Sequence, residues 1–182
     1  TYRYITEDRV KDYYSNVKPT GFDFIIGSVH YLKVGDKFYP VDENEELTKK
    51  TIDECFNGDA LAYAEEYYRT ISCVTNKTGA DVIGHFDIIA KENAGGKFID
   101  INSNRYQTAV DSAIEKLVET GKIFEINTSR IYKKLSSEPY PKSDILKKLI
   151  EKDAKLILSS DAHSLDAIAY KFKDLEYLLK NM

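Results

Sequence analysis

The sequence predicts an α/β fold with parallel strands. Three observations carry this. Short apolar runs of strand length alternate with segments of helical spacing, the order that builds parallel pairs through helical crossovers. All three histidines of the 182-residue chain stand at the ends of such runs: FDFIIGSVHYL holds His30, ADVIGHFDII holds His85 and KLILSSDAHS holds His163. The composition, 42% hydrophobic and 31% charged, is that of one globular domain, residues 1–182, long enough for a sizeable core.

Taken in order, residues 1–21 are polar and tyrosine-rich, without a strand pattern, and the chain opens on Thr1. It reads as part of a longer protein. Residues 22–32 read as a buried strand with Gly27 and Ser28 near its exit, and residues 33–42 as a hairpin around Gly35-Asp36. Residues 47–76 have helical spacing interrupted at Gly58, which predicts two helices. Residues 80–89 are the next strand, and residues 91–104 a loop around Gly95-Gly96. A helix over 105–120 carries Ala109, Ala113, Ile114 and Leu117 on one face, with Gly121 as its C-cap. Strands over 122–129 and 154–164 flank a helix over 144–152 that Ser143 or Asp144 can cap. An amphipathic helix closes the chain. Four such strands are few for a closed barrel.

Several function classes are disfavoured. The net charge of −4 argues against a broad nucleic-acid footprint, which needs a basic face. No segment approaches the ~18 apolar residues of a membrane span, and no secretory signal opens the chain. Cys55 and Cys73 form no CxxC pair; they read as core thiols of a cytoplasmic protein. There is no GxSxG elbow, P-loop or GxGxxG. The fourteen tyrosines read as packing residues rather than a base-stacking platform.

The histidines point to metal chemistry, because imidazole and carboxylate are the usual ligands of zinc, iron and manganese. Asp161 and His163 lie two apart on an extended segment, so both face one cleft. His85 and Asp87 repeat that spacing, and Gly84 lets another group approach the backbone. Parallel strands would bring these ends to one rim. For each histidine taken alone, a packed structural role competes. Glu125 and Asn127 share a face at the end of another strand, where Glu125 could accept a ligand imidazole N–H or bond a loop backbone. Arg130 is a candidate phosphate clamp, since its planar fork matches phosphate oxygens; a solvated loop arginine is the alternative. Lys91 and Lys133 are weaker candidates of the same kind.

Read together and in this order, GSVH, GHFD, EINTS and SDAH resemble the second half of the PHP-domain phosphoesterases. FDFIIGSVHYL, DVIGHFDII and FEINTS are most similar to the bacterial histidinol-phosphatases. The likeness runs from about Phe22 to the C-terminus. It implies a distorted seven-stranded β/α barrel, present here in part, with two or three divalent metals (zinc, manganese or iron). It implies hydrolysis of a small phosphorylated substrate, typically L-histidinol phosphate, in histidine biosynthesis. By the same resemblance His30 and His85 join a shared glutamate around one metal, Asp161 serves another and His163 a third. Asp161 and His163 are then the expected catalytic residues, with Glu125, Asp87 and Asn127 as supports behind the ligands. Arg130 and Lys91 are the expected substrate-binding residues by their own chemistry, since relatives carry an arginine where this chain has Ala90-Lys91 and a small residue at the position of Arg130.

The family opens with an HxH motif, a further histidine and a bridging glutamate, whereas residues 1–21 hold no histidine. The expectation is an N-terminally truncated phosphatase, impaired by missing ligands. The competing expectations are a non-catalytic metal-binding remnant and a PHP phosphoesterase acting on nucleotides. An incomplete barrel should expose edge strands and apolar surface, which favours association between copies.

Overall fold

Two-residue and five-residue strands, rather than long ones, organise the structure, a computed structural model that describes residues 23–180. The described residues begin with β1 (Ile26–Gly27), β2 (Tyr31–Val34) and β3 (Lys37–Pro40). Helices α1 (Glu45–Phe56), α2 (Ala60–Ile71) and α3 (Val74–Thr78) lead to β4 (Val82–Ile83). Then come α4 (Asn104–Val118), β5 (Ile123–Asn127), α5 (Ser129–Tyr132), α6 (Ser143–Glu151), β6 (Lys155–Ser159) and α7 (Phe172–Lys180). Strands β1, β4, β5 and β6 pair in that order, all parallel, which establishes the α/β class. Among the described residues the sheet stays open. The predicted segment 1–21 lies outside them.

Local chemistry explains the boundaries. Asn44 caps α1 by accepting the Leu47 N–H. Asn57 in the left-handed region and Gly58 at φ 78° end it. Asp59 then caps α2 through the Leu61 and Ala62 N–H groups. The break expected at Gly58 is therefore real, and α3 is a third helical piece beyond it. Gly121, at φ 66°, follows α4 and donates to the Val118 carbonyl. Helix α6 differs from expectation. Lys142 occupies its cap position without a side-chain bond, and Ser143 and Asp144 lie inside the first turn. The start is set from outside the helix, because the Lys142 N–H donates to the buried carboxylate of Asp87 at 3.1 Å.

Register places Gly27, Ile83, Phe124 and Leu156 in one row across the sheet. That side packs on a core of Tyr63, Tyr67, Tyr68, Phe86, Tyr106 and Ile114, so these tyrosines are packing residues as expected. The other side carries Ile26 and Ile157. With Phe24 and Ile168 they remain 41–61% exposed, forming an apolar surface. No helix among the described residues is long and apolar enough to cross a membrane.

The apolar runs are longer than the strands they contain. Residues 22–32 split: β1 ends at Gly27, and Tyr31 already belongs to the separate β2–β3 hairpin, which turns at Gly35-Asp36 as predicted. The 80–89 run leaves the sheet after Ile83 and turns, with Ile88–Ala90 in a 3₁₀ turn. Strand β6 stops at Ser159, short of Asp161. Cys55 and Cys73 are partly exposed rather than core thiols.

Candidate active site

The strands end at a cavity of about 510 Å³. His30, His85, Lys91, Arg130, Asp161 and His163 all line it, together with Asp42, Glu43, Lys133 and Tyr140. Tyr31 and Pro40 of the hairpin, and Ser129 and Leu135 beyond β5, line it as well.

The two imidazoles at its floor are built differently. His30 follows β1, and its Nδ1 lies 3.0 Å from Oδ2 of Asp42. His85 follows Gly84 and takes φ 22°; its backbone N–H donates to Oε2 of Glu125 at 2.6 Å. The rings meet edge to face with centroids 4.7 Å apart. His30 Nε2 and His85 Nδ1 are buried without a protein partner among the described residues. Burial first, and then the neighbouring charge of His30, holds the His85 imidazole below the ordinary histidine range. It is therefore neutral at neutral pH, the form that binds metal. Burial also pushes the Asp42 carboxyl upward, but the hydrogen bond with His30 and the nearby His30, Lys91 and His85 charges outweigh it, so the net shift is downward.

Glu125 and Asn127 are buried and lie outside the cavity lining. Glu125 Oε2 also accepts from the Asn127 amide at 3.1 Å, and Asn127 Oδ1 accepts the Ser129 N–H at 2.9 Å. Glu125 thus bonds the His85 backbone, the second of the two roles the sequence left open for it. Asp87 does not share a strand face with His85, because residues 85–87 turn; it is fully buried and anchors the start of α6. Burial pushes its carboxyl up to about 6, against the Lys142 N–H and the Arg130 charge.

Arg130 is not a solvated loop residue. It is 5% exposed, with its guanidinium 5.1 Å from the Tyr140 ring centroid. Its Nε and Nη1 are buried without partners among the described residues, and a desolvated guanidinium of this kind calls for an anion. Lys91 donates to the Asp42 carbonyl and lies 3.4 Å from Glu92. Asp161, at φ 44°, is not extended as expected, yet it sits 3.6 Å from His163 Nε2 at the exposed rim. Asp42 and Tyr140 were missed by sequence reasoning. Asp42 could have been found from the predicted hairpin, which returns the chain to His30; no signal marks Tyr140.

Among the described residues no three His, Cys, Asp or Glu side chains converge on one metal position. The donors come as pairs, His30 with His85 and Asp161 with His163. The chemistry of the first pair nonetheless fits a divalent metal: two buried imidazole nitrogens without partners, one on a ring held neutral.

A profile of the PHP domain matches residues 4–129, and the chain belongs to that family. The "Probable histidinol-phosphatase" of Schizosaccharomyces pombe is 32% identical over 144 residues, covering 78% of this chain and 44% of that protein. The "Histidinol-phosphatase" of Bacillus subtilis is 26% identical over 175 residues, covering 92% and 62%. A crystal structure from Listeria monocytogenes, of a protein provisionally named a histidinol phosphatase, superposes with a TM-score of 0.76 at 20% identity. That match covers 94% of this chain and 65% of the other, and establishes likeness of fold. The chain thus spans 44–62% of the length of these two sequence relatives.

Proposed function

We propose that this chain forms part of a metal-dependent phosphomonoester hydrolase of histidinol-phosphatase type, its sheet supplying four strands of a seven-stranded barrel. The observation that carries the reading is the meeting, in one cavity, of unpartnered imidazole nitrogens on His30 and His85 with unpartnered guanidinium nitrogens on Arg130. The first pair suits a metal and the second a phosphate.

His30 and His85 hold one divalent ion, and Asp161 and His163 supply ligands for others, with further ligands expected from the HxH segment that the family carries. A divalent metal held there, zinc, manganese or iron, would supply positive charge to offset that developing on the phosphoryl oxygens. Arg130 forks onto two of those oxygens, its plane fixed by Tyr140, and Lys91 and Lys133 add positive charge at the wall. Glu125 and Asn127 keep His85 in place through its backbone. The cavity carries Glu43 beside these cations, which suits an ester bearing an ammonium group, such as histidinol phosphate.

The test is phosphate release with manganese or zinc, from the chain alone and with an HxH-bearing N-terminal PHP segment supplied in trans. The expected result is very low turnover alone, restored turnover on histidinol phosphate over AMP, and loss of most of it in Arg130→Ala and His163→Ala. Preference for AMP refutes the substrate assignment. Robust hydrolysis by the chain alone refutes the assignment of missing ligands.

A further inference from the structure

The role of the β2–β3 hairpin is not accounted for by the proposed function. It begins immediately after His30, and its second arm comes back beside that residue. Its ladder pairs Tyr31 with Pro40 through to Val34 with Lys37. Pairing runs one step further, because the Val41 N–H donates to the His30 carbonyl at 3.0 Å. Val41 and Leu32 are fully buried, which anchors the base of the hairpin to the core. The next residue, Asp42, is thereby laid beside His30. Its backbone carbonyl is held from a third direction by the Lys91 ammonium.

We propose that Asp42 is a positioning residue that fixes His30 as the Nδ1–H tautomer, leaving the Nε2 lone pair aimed at the cavity, and that the hairpin exists to deliver it. An ionised carboxylate only accepts hydrogen bonds, so the 3.0 Å contact requires the proton on Nδ1. Whenever the ring is neutral it carries only this N–H, and Nε2 is then an acceptor. That atom is buried and unpartnered among the described residues, a costly state for a polar atom unless an electrophile takes the lone pair. Carboxylate–imidazole pairs of this kind set tautomer, ring orientation and basicity in metal ligands. The metal half of this inference rests on the proposed function; the tautomer half rests on geometry alone.

The experiment is long-range ¹H–¹⁵N correlation of the imidazole rings in the full chain, with His30→Gln assigning the signals, followed by zinc titration of the same samples. In the wild type His30 is protonated at Nδ1. In Asp42→Ala that preference is lost and zinc affinity falls about 10–100-fold. Should Asp42→Ala not fold, the isosteric Asp42→Asn gives the same readout, since its amide can donate to Nδ1 and invert the tautomer. A wild-type ring protonated at Nε2, or a variant unchanged in tautomer or in zinc affinity, overturns the proposal. A wild type that takes up no zinc, yet shows the tautomer shift on substitution, supports Asp42 as the positioning residue and overturns the metal reading of the site.

Discussion

Replacing Gly84 by alanine tests whether the close approach of β1 and β4 sets the floor of the site. Gly84 has no positive φ, so its backbone suits alanine and the effect is steric alone. A Cβ there would lie 2.3 Å from Ser28 Oγ, 2.9 Å from Ile26 Cγ2 and 3.4 Å from Glu125 Oε2. The first two are closer than carbon tolerates, and they come from the strand that Gly84 itself hydrogen-bonds through the Gly27 carbonyl. Relief requires rotating Ser28, separating the strands or pushing Glu125 off the His85 N–H. Overpacking of this order costs about 1–3 kcal/mol, which for a domain of this size lowers Tm by about 2–4 °C per kcal/mol. Urea and thermal melts of Gly84→Ala, Ser28→Gly and the double variant measure it. The double variant should recover roughly 1 kcal/mol relative to additivity, since its worst contact is gone. A single variant within about 0.5 kcal/mol of wild type, or strictly additive losses, would refute the steric account.

Asp87→Asn should be more stable than wild type at pH 8, because the charged form is the disfavoured one in that buried position. The folded pKa of about 6 lies above the ordinary value of 3.8. The stabilising contribution is therefore complete below pH ~4 and lost as pH rises through 6, an interval worth up to about 3 kcal/mol. Denaturation curves from pH 3.5 to 8 should show the two proteins diverging across that window; parallel curves would contradict it. Tyr68→Phe removes one partner of the buried 2.8 Å Tyr68–Tyr106 hydroxyl pair. It should cost about 1–3 kcal/mol, whereas Phe at both positions should be closer to wild type. A double variant as unstable as the sum of the singles would show that packing, not the hydrogen bond, is responsible.

The sequence was legible wherever a signal was local. The break at Gly58, the turn at Gly35-Asp36 and the α4 helix all follow from residues within a few positions. Strand length was not. In FDFIIGSVHYL and ADVIGHFDII every apolar residue looks alike, yet Ile83 is buried in the sheet and Ile88 and Ile89 in a 3₁₀ turn beyond it. Periodicity cannot separate these, since both are buried all round. Glu125 and Asp87 were recognised as residues behind the site, but their partners, the His85 and Lys142 backbones, come from remote segments. Arg130 looked exposed because Tyr140, which covers it, arrives ten residues later from a loop without periodicity.

The delivery of Asp42 by a hairpin makes that stretch sensitive to spacing more than to side-chain identity. Extra residues at the Gly35-Asp36 tip can bulge outward and leave the base of the ladder as it is. One residue inserted between Phe38 and Val41 cannot, because strand side chains alternate and a single step reverses every one after it. The carboxylate would then face away from His30 with the composition of the segment almost unchanged. Drift along this lineage should therefore accept many substitutions on both arms of the hairpin while allowing insertions and deletions only at its tip.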